Sequence, residues 1–75
     1  MYDDFREVTD KLGVDARTLA TALRVPVQSV RQMRADPGTM AYRSPPADWK
    51  RVIGAMARAR ALELLKMANE LYRAQ

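Results

Sequence analysis

Arginine and glutamine side chains are concentrated in one short segment of this chain, residues 27–34. Val30 and Met33 lie three residues apart, which is the spacing of a buried helix face, so the residues around them are expected to point outward. A guanidinium can donate two hydrogen bonds to the edge of a guanine in the major groove of DNA, and a carboxamide can pair in the same way with adenine. The pattern predicts a helix that contacts the bases of double-stranded DNA through Gln28, Arg31 and Gln32.

The residues before this segment have the pattern of another helix packed against it. Leu19, Ala20 and Leu23 would form its inward face, and Val25 would fill the turn before Pro26. A small side chain at position 20 would let two helices that cross at about 90–120° approach each other closely. Residues 16–34 therefore predict a helix-turn-helix.

Positive charge is densest around this motif. The net charge of the chain is +4, but residues 1–15 contain two basic and five acidic residues, whereas residues 16–51 contain seven basic and two acidic residues. A basic surface attracts the phosphate backbone of nucleic acid and makes binding dependent on salt. The expected phosphate contacts, which include two outward residues of the 27–34 segment, are Arg17, Ser29, Arg34, Arg43, Lys50 and Arg51.

Several classes of function lack the residues they need. Cysteine and histidine are absent, which excludes disulfides, thiolate or imidazole metal sites, and catalytic triads that use either residue. The clustered carboxylates Asp3, Asp4 and Asp10 suit helix ends better than acid–base catalysis. We therefore expect no enzyme, no cofactor and no metal. No apolar run approaches the about 18 residues of a membrane span, so a cytoplasmic, nucleoid-associated protein without membrane contact is expected.

The whole chain predicts an all-α fold with one domain over residues 1–75. Its first part, residues 1–36, would contain an N-terminal helix and the helix-turn-helix. Asp3 would cap the N-terminal helix, Gly13 would end it, and Asp15 would cap the next helix. Three short helices are thus expected before the chain turns at residue 36.

A loop over 37–45 and one long amphipathic helix over 46–75 complete the predicted fold, with Pro46 in the first turn of that helix. Such a helix of about 30 residues would span roughly 45 Å, which is longer than the short helices can cover. Contiguous exposed apolar surface is uncommon in monomers. A homodimer is therefore expected through Leu64, Leu65, Met67, Ala68, Leu71 and Tyr72, and a different protein partner on the same helix is the alternative.

Residues 16–34 resemble the helix-turn-helix of the phage-repressor and Cro-like (XRE-type) regulators. Val25-Pro26 followed by Ser29-Val30-Arg31 is similar to the turn and recognition helix of small members, some of which act as antitoxins, and Arg43-Ser44-Pro45 is similar to the Arg-x-Pro that often follows. The resemblance implies that Arg17 lies near a phosphate and that Arg43 meets the DNA backbone. It implies base contacts in the major groove through Val27, Gln28, Arg31 and Gln32. It also implies that a left-handed backbone is needed at Arg24, where the family usually has glycine.

These observations together predict a dimeric, sequence-specific transcriptional repressor that acts by occupying its DNA site. Two alternatives stay open. One is a protein-interaction module, such as an antitoxin or adaptor, that binds a partner through its C-terminal helix. The other is a nucleoid-type protein that binds DNA with little sequence preference.

Overall fold

The computed structural model describes residues 3–74, which form four helices and, over this range, no strand. The helices are α1 (Phe5–Leu12), α2 (Ala16–Leu23), α3 (Val27–Met33) and α4 (Trp49–Arg73). The predicted all-α fold, with three short helices before one long helix, is confirmed. The last position of the predicted long helix, residue 75, lies outside the described residues.

The first helix begins one residue later than the sequence pattern predicted. Asp4 is its cap, and the Asp4 carboxylate accepts a hydrogen bond from the backbone N–H of Arg6 at 3.0 Å. The prediction that Asp3 caps this helix is wrong. Asp3 instead accepts a hydrogen bond from Lys50 Nζ at 2.6 Å, because the packing of α4 beside the N-terminus brings that lysine within reach.

Asp15 caps α2 as predicted. Its carboxylate accepts a hydrogen bond from the backbone N–H of Thr18 at 2.7 Å. Hydrogen bonds from the side chain and the backbone of Thr18, followed by the positive charge of Arg17, hold the pKa of Asp15 below its ordinary value. The charged cap is therefore favoured in the folded state more than in the unfolded chain.

Two residues with a left-handed backbone end α1 and α2. Gly13 has a φ of 70° and ends α1 as predicted. Arg24 has φ 59° and ψ 45° and ends α2, where its N–H group donates to the carbonyls of Ala20 and Thr21. The left-handed residue at position 24 reverses the direction of the chain after α2. The N–H of Val25 also donates to the carbonyl of Ala20, at 3.0 Å. The left-handed conformation expected from the family resemblance is thus present, although an arginine adopts it at a cost.

One small core holds the four helices together. Leu19 and Val30 are completely buried, and Ala20 is 5% exposed, in agreement with the predicted inward faces. The buried hydroxyl of Thr9 donates to the carbonyl of Phe5 at 2.9 Å, so this polar group is satisfied inside the core. The buried apolar residues are Phe5, Leu19, Ala20, Leu23, Val30, Met33 and Ile53.

The long helix α4 begins at Trp49, so the prediction that Pro46 lies in its first turn is wrong. The carbonyl of Pro46 accepts a hydrogen bond from the N–H of Trp49 at 3.1 Å, which closes a tight turn before the helix. The Trp49 ring then packs edge-on against Phe5, with centroids 5.2 Å apart. One turn later Ile53 is 2% exposed, so these two residues attach α4 to the short helices.

Beyond Met56, α4 extends away from the core. The described residues measure 53 × 24 × 18 Å overall, because the second half of α4 projects from the compact part of the molecule. The apolar side chains of this half are exposed, for example Leu71 at 61% and Tyr72 at 78%. The expectation that the short helices do not cover the end of the long helix is confirmed. The large side chains left uncovered form an exposed apolar strip of Leu62, Leu64, Leu65, Met67, Leu71 and Tyr72. Among residues 3–74, no helix has the length and apolar character required to cross a membrane.

Candidate nucleic-acid interface

The outward face of α3 carries the predicted base-contacting side chains. Gln28 and Arg31 are exposed, and Val27 and Gln32 are half-buried at the edges of the same face. Val30 lies on the opposite side of the helix and is completely buried in the core. The helix is therefore held by its apolar side while two glutamines and one arginine remain accessible to a ligand.

Ser29 corrects the sequence interpretation. Only 6% of Ser29 is exposed, so the prediction that it points outward is wrong. Ser29 precedes Met33 by one helical turn, and residues four apart share a helix face, so it faces the core side with Met33. The same spacing was present in the sequence and would have predicted this placement. Its hydroxyl oxygen lies 3.4 Å from a guanidinium nitrogen of Arg43.

Arg43 is held against α3 although it belongs to the loop between α3 and α4. Its backbone N–H donates to the carbonyl of Gln32 at 3.2 Å, near the last turn of α3. Its guanidinium meets Ser29 on the same helix. The residue is exposed, so these two contacts place a positive charge at the edge of the Gln28–Arg31–Gln32 face.

Three of the predicted phosphate contacts have carboxylate partners in the structure. Arg34 pairs with Asp10 of α1. The ammonium of Lys50 lies 2.6 Å from Asp3, and the guanidinium of Arg51 lies 3.0 Å from Asp48. A DNA phosphate at any of these positions would have to replace the carboxylate.

The predicted phosphate contacts do not all gather beside α3. Arg34 follows α3 directly and Arg17 is exposed in the first turn of α2. Lys50, by contrast, lines a groove between α1 and α4, and its ammonium lies 5.8 Å from the centre of the Trp49 ring. Lys50 thus lies beside the α1–α4 groove, on α4 and not on the helix-turn-helix.

Arg24 is a further cation that the sequence interpretation left out of the site. It is exposed in the turn immediately before α3. It is one of the seven basic residues of the 16–51 segment, and its position two residues before Pro26 places it next to the predicted base-contacting helix. A guanidinium at this turn adds to the positive field near the N-terminal end of α3.

Within the described residues, no group of three or more histidine, cysteine, aspartate or glutamate side chains is placed to hold a metal ion. The exposed side chains of α3 and the nearby Arg43 offer hydrogen bonding by carboxamide and guanidinium groups together with charge attraction. Those are the interactions that base edges and phosphates offer in DNA.

No protein-family model, curated protein or solved structure matches this chain. The resemblance to XRE-type regulators thus stays a prediction based on residues 16–34.

Proposed function

We propose that this protein is a sequence-specific regulator that binds double-stranded DNA as a homodimer and inserts α3 into the major groove. The observation that supports this most directly is the placement of Arg43. A loop residue is held at the edge of α3 by its contacts to Ser29 and Gln32, at 3.4 and 3.2 Å. Because the opposite side of α3 is buried, the helix can enter a groove without losing its contacts with the core.

The accessible side chains divide into base contacts and phosphate contacts in the proposed complex. Arg31 donates two hydrogen bonds to a guanine, and Gln28 or Gln32 pairs with an adenine. Arg43 and Arg17 contact phosphates and fix the position of α3 in the groove. Such a protein acts by occupying a site that RNA polymerase requires, which makes repression the simplest outcome.

Arg34, Lys50 and Arg51 would join the phosphate contacts by exchanging their carboxylate partners for DNA. These ion pairs are at least partly exposed to solvent, and exposed ion pairs contribute little stability. The exchange therefore costs little, and it would make DNA binding strongly dependent on salt.

The test is selection of DNA sites from a randomised duplex pool, followed by anisotropy titrations with the selected duplex. Arg31→Ala should weaken binding by about 5- to 150-fold and relax the preference at one base pair, since a bidentate contact is worth about 1–3 kcal/mol. Arg43→Ala should weaken binding to all duplexes alike and lower the salt dependence by about one phosphate contact.

Arg58→Ala provides the matched control because it removes the same charge from exposed α4 surface outside the core. It should leave the base preference unchanged. Unaltered affinity and preference in Arg31→Ala would refute the assignment of α3 as the recognition helix. Binding without any base preference would favour the nucleoid-type alternative.

The exposed apolar strip of α4 favours a second candidate, a module that binds another protein, such as an antitoxin or adaptor. Leu65 and Leu71 are 59% and 61% exposed, and a strip of this kind needs a partner. A monomeric protein with no DNA preference would support this candidate over the proposed repressor.

A further inference from the structure

An apolar groove of about 450 Å³ lies between α1 and the first half of α4. Val8 and Leu12 line it on the α1 side, and Ile53, Gly54 and Ala57 line it on the α4 side. The space above Gly54 is open, since a Cβ atom built there would meet no other side chain or neighbouring element within 4 Å. The groove can therefore accept a large apolar side chain from outside.

This groove continues along α4 into the exposed apolar strip. One face of α4 repeats with alternating steps of three and four residues, which is the spacing of helices that pair along a seam. The residues differ in size between the two halves of the helix, small first and larger later. In chain order they are Gly54, Ala57, Ala61, Leu64, Ala68 and Leu71.

The size gradient favours one orientation of two such helices. In a parallel pair each of these residues would face its own copy. Gly54 and Ala57 would form thin layers at one end, and Leu64 and Leu71 would form thick layers at the other. The helices would then have to approach closely at one end and stand apart at the other. In an antiparallel pair, Leu71 faces Gly54, Ala68 faces Ala57 and Leu64 faces Ala61, so that each layer with a leucine combines it with a small residue.

We infer that two copies of this chain pair antiparallel through α4, with Leu71 of each copy seated in the α1–α4 groove of the other. This inference rests on the homodimer of the proposed function and adds its orientation and its register. Leu71 is 61% exposed and Leu64 is 47% exposed in the single chain, and both are covered in this arrangement. The occupant of the groove is thus the C-terminal half of a second copy.

Charge agrees with this orientation. The groove is bordered by Lys11 on α1 and by Lys50 on α4. In the antiparallel register residue 70 of the second copy lies opposite residue 55, at the level of the groove. The side of the second helix that carries Glu70 is then turned towards α1, whereas a parallel helix turns the opposite side. The Glu70 carboxylate adds a second negative charge beside lysines of which Lys50 also pairs with Asp3, and it stabilises the antiparallel pair at modest ionic strength.

The same register sets the distance between the two compact parts of the dimer, each made of α1, α2, α3 and the start of α4. The layers Leu71–Gly54 and Leu64–Ala61 place the two-fold axis between residues 62 and 63. Trp49 and Ile53, which attach α4 to the core, then lie about 30–40 Å from their counterparts along the helix pair, at 1.5 Å per residue. Two recognition helices meet successive major grooves when they are about 34–36 Å apart. In a parallel pair the two compact parts would instead lie side by side at the same end of the helix pair.

A size-exchange experiment tests the register. Gly54→Leu should fold, because its new side chain enters open space and leucine is a better helix former than glycine. It should nevertheless raise the dimer dissociation constant at least about tenfold, since two leucines would then share one layer. The double variant Gly54→Leu with Leu71→Ala restores a large-to-small layer and should recover most of the affinity.

Ala59→Leu is the matched control, because Ala59 is exposed on a different face of α4. It should leave the dissociation constant unchanged. Sedimentation velocity measures dimerisation, and circular dichroism verifies that each variant is helical. A monomeric wild type, or a Gly54→Leu variant that dimerises as tightly as the wild type, would overturn the inference.

Disulfide trapping distinguishes the two orientations, since the natural chain has no cysteine. In the antiparallel pair, position 71 lies about 25 Å from its own counterpart, far beyond the about 4.4–6.8 Å between Cα atoms of a disulfide. Leu71→Cys alone should therefore stay uncrosslinked, whereas Gly54→Cys combined with Leu71→Cys should form a covalent dimer. Efficient crosslinking of Leu71→Cys alone would establish the parallel pair and overturn the inference.

DNA titrations on the same proteins separate this result from the proposed function. A parallel dimer that binds DNA through Arg31 would refute the inference and leave the function in place. An antiparallel dimer without DNA affinity would support the inference and refute the proposed function.

Discussion

Arg24 provides a sharp test of the helix-turn-helix geometry. It is the one non-glycine residue among positions 3–74 with a positive φ, at 59°. A left-handed conformation costs an ordinary L-residue about 1–2 kcal/mol, whereas glycine adopts it freely. Glycine also raises the conformational entropy of the unfolded chain, which lowers the free energy of unfolding by about 0.4–1 kcal/mol. Arg24→Gly should therefore stabilise the fold by about 0.5–1 kcal/mol, or raise Tm by about 2–8 °C in a domain of this size.

Two further variants isolate the backbone as the cause. Arg24→Ala removes the same guanidinium but retains a Cβ atom, so the glycine variant should be more stable than the alanine variant. Gly13→Ala makes the opposite change at the other left-handed helix end, where φ is 70° and a Cβ would meet nothing within 4 Å. Its expected loss of about 0.5–1 kcal/mol is then purely conformational.

Thermal unfolding by circular dichroism measures all three variants, at one protomer concentration because dimerisation shifts Tm. Equal stability of Arg24→Gly and Arg24→Ala would refute the left-handed turn at this position. Since Arg24 also adds positive charge beside α3, both variants should bind DNA slightly more weakly than the wild type in spite of their different stabilities.

Three further tests address the cap, the core and the ion pairs, two of them with a control variant. Asp15→Ala should lower Tm near neutral pH, and because folding depresses the pKa of Asp15, the deficit should shrink as the pH falls below about 3.9; a constant deficit would contradict this. Ile53→Ala should cost about 2–5 kcal/mol in urea unfolding, whereas the exposed Leu62→Ala should change stability by less than about 0.5 kcal/mol. Asp10→Asn should tighten DNA binding by releasing Arg34 and steepen its salt dependence, whereas Glu7→Gln, which removes the same charge from the same helix, should do so less. Equal effects of the two substitutions would contradict the exchange of Asp10 for phosphate.

Local sequence signals were sufficient for most helix boundaries and faces. Gly13 and Asp15 end one helix and begin the next, because a left-handed residue and a capping carboxylate act on N–H and carbonyl groups only a few positions away. Val30 and Met33 are buried as their spacing predicted. The same periodicity extends to polar residues, since Ser29 lies one turn before Met33 and is buried on the inner face.

The two boundary errors have a different cause. Asp3 and Asp4 were equivalent as caps by type, and Pro46 was an acceptable first helical residue by its ring geometry. Which residue begins each helix depended on contacts between distant parts of the chain. Lys50 of α4 pairs with Asp3, and Asp4 caps α1. Phe5 and Trp49, the first residues of α1 and α4, pack edge-on against each other.

The helices, their capping residues and the two-sided character of α3 were encoded in short stretches of sequence, because helix periodicity and capping act within one or two turns. The site required the folded chain. The placement of Arg43 at the edge of α3, the pairing of Arg34 with Asp10, and the groove beside Gly54 all join segments that lie on different elements. Such contacts form only after burial of the common core offsets the loss of chain entropy on closing the loops between those elements. No local pattern specifies which side chains will then meet.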